Sequence, residues 1–262
     1  MGTLESKIIR GITVLTFILM ITANALANIL PINGLNTGQV SNNYPNLFAP
    51  AAITFSIWGL IYLLLGVYTI YQLYALKNKP YTAKFFNEIG IYFSISSVAN
   101  ALWIIAWHYL YISLSLVLMI IILVSLIKIN KIIRKKSLDT EVTKIIRLPF
   151  SIYFGWITVA TIANVTTLLV SINWHGFGIP DFIWTIVVLI VGLIIGSITM
   201  YKNKDFFYGL VFIWAYSGIL LKHIQKSGFS GNYLTIIITV LISLLILLFV
   251  EYNIYEEKKS TN

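Results

Sequence analysis

Three stretches of this chain carry side chains able to recognise a small molecule: Pro50…Trp58…Tyr62, Asn100…Trp103…Trp107 and Pro149…Tyr153…Trp156…Asn164. Each sets indole, phenol or amide groups inside an apolar run long enough to cross a bilayer. Lipid rewards Leu and Ile but gives an amide no hydrogen-bond partner, so each buried Asn must find protein or ligand. The chemistry on offer is recognition. Aromatic faces suit a flat, largely apolar molecule, and amides suit its polar edges.

Groups for other chemistry are missing. No Asp, Glu, Lys or Arg falls deep in an apolar run, and Glu251 sits at the end of the last one. Proton-driven pumps and ion-coupled transporters usually need such residues, and a retinal protein needs a mid-helix lysine. His108, His175 and His223 lie near run ends, and no His, Asp and Glu share the spacing of metal ligands. His108 reads as a solvated loop residue, with contact to a haem edge as its alternative. Neither a nucleophile motif nor a nucleotide-binding loop is present. The chain has no cysteine, which excludes disulfides and thiolate metal sites. Nothing here requires a metal or an obligatory cofactor, and the residues point away from an enzyme.

Membrane helices are the elements that must position these groups. The 262 residues are 58% hydrophobic and 10% charged, against about 25% charged in a soluble domain. Mean hydropathy is +0.87. A crossing helix needs about 20 mostly apolar residues. Eight such runs occur, at 8–30, 50–75, 89–107, 109–129, 147–172, 182–201, 206–224 and 232–252. The fold class is therefore all-α, a polytopic membrane bundle of eight transmembrane helices. The third and fourth runs nearly merge at His108. Roughly 40 residues of unbroken helix would reach about 60 Å, twice the hydrocarbon core, so the chain must fold back there.

Basic residues set the orientation. With the N-terminus inside, 16 of the 18 Lys and Arg are cytoplasmic: Lys7, Arg10, Lys77, Lys79, Lys84, Lys128, Lys131, Arg134, Lys135, Lys136, Lys144, Arg147, Lys202, Lys204, Lys258 and Lys259. Only Lys222 and Lys226 fall outside. The bias puts both termini in the cytoplasm of a plasma-membrane protein. A rival reading of residues 1–27 is a signal peptide ending at Ala25-Leu26-Ala27. The net charge of +9 sits between the apolar runs, which suits an anionic bilayer surface, and no nucleic-acid motif accompanies it. The basic 128–147 loop reads as a topology determinant and a lipid-headgroup contact. The outer loop 31–49, with Pro31, Gly34, Gly38 and Pro45 and no charge, reads as an irregular connector or a lid over an outward pocket.

Side chains three or four apart share a helix face. Trp58 and Tyr62 form one stripe, Asn100, Trp103 and Trp107 a second, and Tyr153, Trp156, Ala160 and Asn164 a third. Asn24 and Asn28 form a fourth. Trp107, Tyr109, Tyr111, Trp174 and Trp184 lie near run ends and read as interface belts. Trp58, Trp103 and Trp156 lie further in, where they serve a packed core or a pocket. Asn24, Asn28, Asn100 and Asn164 are either glue between helices or pocket walls. Small residues at Gly90, Ser94, Ser97 and Ala101, and a Gly192…Gly196 pair, mark close helix approaches within one protomer or across a homodimer.

These same residues carry a family resemblance. Pro50-Ala-Ala-Ile-Thr-Phe55-Ser-Ile-Trp58-Gly-Leu-Ile-Tyr62, Asn100-Ala-Leu-Trp103 and Pro149-Phe-Ser-Ile-Tyr153-Phe-Gly-Trp156-Ile-Thr-Val-Ala160-Thr-Ile-Ala-Asn164 resemble, in order, the signatures of the TspO/MBR family. That family comprises the tryptophan-rich sensory proteins and the mitochondrial translocator protein. The resemblance spans residues 8–175. It implies a five-helix ligand-binding unit at 1–175, followed at 176–262 by three additional helices and a short tail. It also implies a site for a flat hydrophobic ligand, a porphyrin or other tetrapyrrole or a sterol-like molecule. The positions that match are Trp58, Tyr62, Asn100, Trp103, Tyr153, Trp156, Ala160 and Asn164. The implied role is sensor, regulator or transport helper. The alternatives are a carrier component for a small neutral solute and a membrane enzyme that modifies porphyrin in light.

Overall fold

The computed structural model describes residues 4–30, 32–35, 37–78, 82–135 and 140–260. Pro31 of the outer loop, and Lys79 and Lys136 of the charge pattern, lie outside the described residues, as do the side chains of Lys77, Lys144 and Lys258. The chain is helical, with no strand among the described residues. The helices are α1 (Leu4–Ile29), α2 (Thr37–Asn42), α3 (Ile57–Asn78), α4 (Ala83–His108), α5 (Ile112–Arg134), α6 (Thr140–Ser171), α7 (Asp181–Asn203), α8 (Phe206–Ile224) and α9 (Leu234–Ser260). A 3-10 turn, Ala52–Ser56, leads into α3. All except the short α2 are long and apolar enough to cross a membrane, eight in total. The eight expected runs are thus the eight long helices.

Packing builds a ring and a flank. Helix α1 lies against α3 and α4, α4 against α5, α5 against α6, and α6 against α3, which closes five helices on themselves. The first apolar run is therefore a stave of this ring. Helix α8 packs along α6, and α7 and α9 complete the flank beyond it. Large apolar residues such as Leu15, Leu63, Ile70, Leu245 and Phe249 stay exposed, as a lipid-facing surface requires.

Chain reversal at His108 follows from local backbone bonding. The amide of Tyr111 donates to Ala106 O (2.9 Å) and that of Leu110 to Trp107 O (3.1 Å). Leu110 between them has φ 61°. This paired closure satisfies the last carbonyls of α4 and turns the chain straight into α5.

At the other end of the bundle, Asp205 ties the flank to the ring. Its carboxylate accepts from Tyr208 N, capping α8, and from Ser151 Oγ (2.7 Å) on α6 and Asn130 Nδ2 (3.4 Å) on α5. Arg147 lies 3.9 Å from the same oxygen. Helix α1 begins before the apolar run it contains, so Arg10 lies inside the helix and is fully buried. It donates to Gln72 O on α3 and stands over the Phe86 ring at 4.9 Å. The guanidinium is thus held by a backbone carbonyl and a ring face.

Both small-residue faces are used within the chain. Thr13 on α1 covers Gly90 and accepts from Ser94 (3.4 Å). On α7, Gly192 and Gly196 lie beneath Tyr216 and Phe212 of α8, and Tyr216 OH donates to Leu189 O (2.6 Å). Helix α6 also lies close against α8. A Cβ built on Gly155 would stand 2.9 Å from Tyr208 O and 2.9 Å from Val211 Cβ. Gly155→Ala should therefore destabilise the protein in detergent by about 1–3 kcal/mol, the usual cost of overpacking. Gly59→Ala, which meets nothing within 4 Å, should be neutral or gain up to about 1 kcal/mol of helix propensity. Denaturant titration of the two variants checks the ordering, and equal stabilities would contradict this α6–α8 contact.

Candidate functional site

Trp58 is the hub of an aromatic cluster at the end of the ring opposite the chain's ends. Its ring centroid lies 5.4 Å from Tyr62 and 6.1 Å from each of Trp103, Tyr153 and Trp156. Trp103 stacks on Trp107 at 5.9 Å, and Phe55 meets Trp156 edge-on at 6.0 Å. Helices α3, α4 and α6 each present one stripe here, because residues three and four apart fall on a single face turned into the ring. Offset and edge-to-face pairs at these separations are the favourable arrangements of aromatic rings.

Two adjoining cavities share walls at this cluster. The larger is a cleft of about 760 Å³, in the range of small-molecule sites. Trp58, Tyr62 and Trp103 form its aromatic wall, and Asn24, Asn28, Asn42 and Asn46 give it amide edges. The smaller is a recess of about 70 Å³ that continues past Trp58 to Trp156, Ala160 and Asn164. Phe55, Trp58 and Trp103 belong to both. Among the described residues no carboxylate lines either one.

Of the sequence-expected residues, Trp58, Tyr62, Trp103, Trp156, Ala160 and Asn164 line the cavities. Asn100 and Tyr153 do not. They stand behind the aromatic wall, fully buried. Asn24 Nδ2 donates to Asn100 Oδ1 (2.7 Å), and Asn100 Nδ2 donates to Tyr153 OH (3.0 Å). This relay joins α1, α4 and α6. Asn164 is also bonded between helices, accepting from Ser115 Oγ on α5 (3.1 Å), while remaining at the recess wall. Asn28 is exposed at the cleft and donates to Asn24 O (2.8 Å). The amides thus divide between glue and lining, and Asn24 and Asn164 do both.

Buried polar atoms usually find a partner. The indole N–H groups of Trp103 and Trp156 are buried and have none among the described residues. Both residues line the recess. Trp107 Nε1, by contrast, donates to Thr37 O (3.3 Å).

The outer loop roofs the site. Its first half is held by the end of α4. His108 is fully buried; its Nδ1 donates to Ile32 O (3.3 Å), its Nε2 lies 3.1 Å from Thr37 Oγ1, and its carbonyl accepts from Asn33 Nδ2 (3.0 Å). Trp107 is buried too and lines the recess. These two positions differ from the expectation of an interface belt and a solvated histidine, because the loop folds back over the end of the helix. Tyr109 and Tyr111 remain exposed, and Trp174 and Trp184 are half-buried against each other at 4.9 Å.

The loop's second half is held by α8. His223 Nε2 donates to Leu47 O (2.9 Å), Ala51 N to Gly218 O (2.9 Å), and Trp214 Nε1 to Thr54 O (3.0 Å). Ala215 and Ile219 of α8 line the recess, and Phe48 of the loop lies beside them. A helix beyond residue 175 therefore supplies part of the wall and half of the roof's anchorage. No local pattern signals this. The one hint is His223, a polar residue at the end of an apolar run. Its replacement by Leu should raise hydrogen exchange across residues 44–51 by about tenfold, the equivalent of one lost buried hydrogen bond. Unchanged exchange would show that α8 does not hold the roof.

Residues 9–252 match the family described as TSPO-like protein, and the chain belongs to that family. The match runs through all eight long helices and passes the residue-175 limit of the motif resemblance. Neither a curated protein nor a solved structure matches the chain.

Proposed function

We propose that this membrane protein reversibly binds a flat hydrophobic ligand in the cleft around Trp58. The favoured class is a porphyrin or other tetrapyrrole, with sterol-like molecules next, and the role is sensing, regulation or assisted transport. Trp58 and Trp103, which line the cleft together with Tyr62 and meet Trp156 in the adjoining recess, carry this reading. The faces of Trp58, Tyr62 and Trp103 suit a planar π system, and the indole N–H groups of Trp103 and Trp156, without a partner among the described residues, suit an acceptor atom that reaches the recess. Family membership supports the same class. The amide-edged cleft opens away from the chain's ends. With the charge bias, this favours a plasma-membrane protein with both termini in the cytoplasm and a site facing outward.

Energetics fit a binding protein. A planar ligand that fills the cleft exchanges lipid or water contacts for stacking on fixed rings. The relay behind the wall and the bonded roof preorganise that surface, which lowers the ordering cost of association. Intrinsic tryptophan fluorescence should quench saturably when a porphyrin is titrated into the protein in detergent. Trp58→Phe together with Trp156→Phe should weaken the affinity by about tenfold, since each lost aromatic contact is worth roughly 0.5–1.5 kcal/mol. Absence of saturable quenching would remove the tetrapyrrole reading.

A further inference from the structure

Among the described residues, one charged side chain lines the cleft. It is Lys222, in the last turn of α8, and Gln225, Ser227 and Phe229 of the following turn stand beside it at the mouth. Lys222 is half-buried, and its ammonium lies 5.9 Å from the centroid of the Phe229 ring. The rest of the lining is aromatic, apolar, amide or hydroxyl. It is also one of the two basic residues that run against the charge bias of the whole chain. An ammonium at the rim of a low-dielectric cleft, with no anion on the walls, attracts a negative charge from whatever enters. The ring beneath it holds the cation without neutralising it.

We infer that the ligand carries an acidic group, and that Lys222 binds this group at the mouth while the planar body lies against Trp58 and Trp103. This inference rests on the proposed ligand-binding function and deepens it: the ligand is an amphipathic acid. The division of labour is spatial. The five-helix ring supplies the aromatic face, and α8 supplies the charge that orients the ligand with its acidic end outward. Selectivity between an acid and its neutral analogue then resides in a helix outside the ring.

The test compares a dicarboxylic porphyrin with its dimethyl ester, using tryptophan quenching of the full chain in detergent micelles. The acid should bind about tenfold more tightly than the ester, the size expected of one partly desolvated charge pair. Lys222→Met keeps the apolar stem and should erase the difference by weakening the acid alone. Lys222→Arg should retain it. Lys226→Met, an exposed neighbour outside the cleft lining, should change nothing. Equal binding of acid and ester, or a preference that survives Lys222→Met, overturns the inference and leaves the proposed function standing. Binding of neither compound removes both.

Discussion

Inside a membrane an amide has no water to fall back on, and the bundle is arranged around satisfying one of them. Asn100 accepts from Asn24 and donates to Tyr153, so a single buried side chain ties α1, α4 and α6 together. Breaking either bond would leave a polar atom stranded in an apolar interior, at a cost of about 1–3 kcal/mol. The relay therefore fixes the rotation of three helices. That rotation turns Trp103 of α4 and Trp156 of α6 toward Trp58 of α3. Apolar packing alone would not choose it, because lipid chains solvate a Leu as well as a neighbouring helix does.

With the interior fixed, the site forms in front of it. The aromatic wall is held from behind, and the cleft in front is covered by a loop bonded to α4 at one end and to α8 at the other. The loop also buries Val40, Leu47 and Phe48 against the bundle, so apolar packing and these bonds together keep it in place. His108 and His223 play equivalent parts, each giving a ring N–H to a loop carbonyl. Pinned at both ends, the loop draws its local stability from a handful of hydrogen bonds and a few buried apolar side chains. Such a segment can open without unfolding the bundle.

Much of this was legible from the residues alone. The eight runs became eight helices because length and hydropathy are the physical criteria for crossing a bilayer. The fold-back at His108 followed from the same arithmetic. The three tryptophans could be paired because helical spacing places them on inward faces. Asn100 and Tyr153 could be assigned to the site region but not to its hidden side, since glue and lining use the same side chains. Trp107 and His108 were harder. Position near a span end suggests an interface residue, and only the loop folding back on them makes them interior. The part played by α8 had no local signature. Its bonds to the loop join residues 160 and 176 positions apart, and no periodicity encodes such a pairing.

The central claim is that ligand binds inside the bundle, against a surface shared by the five-helix ring and α8. Photocrosslinking with a diazirine-bearing porphyrin, followed by peptide mapping, addresses it directly. The account predicts label on the 52–62 segment, on α4 near Trp103, and between Ala215 and Phe229, on α8 and the turn after it. Label confined to lipid-facing positions such as Leu63, Ile70 and Leu245 would contradict it.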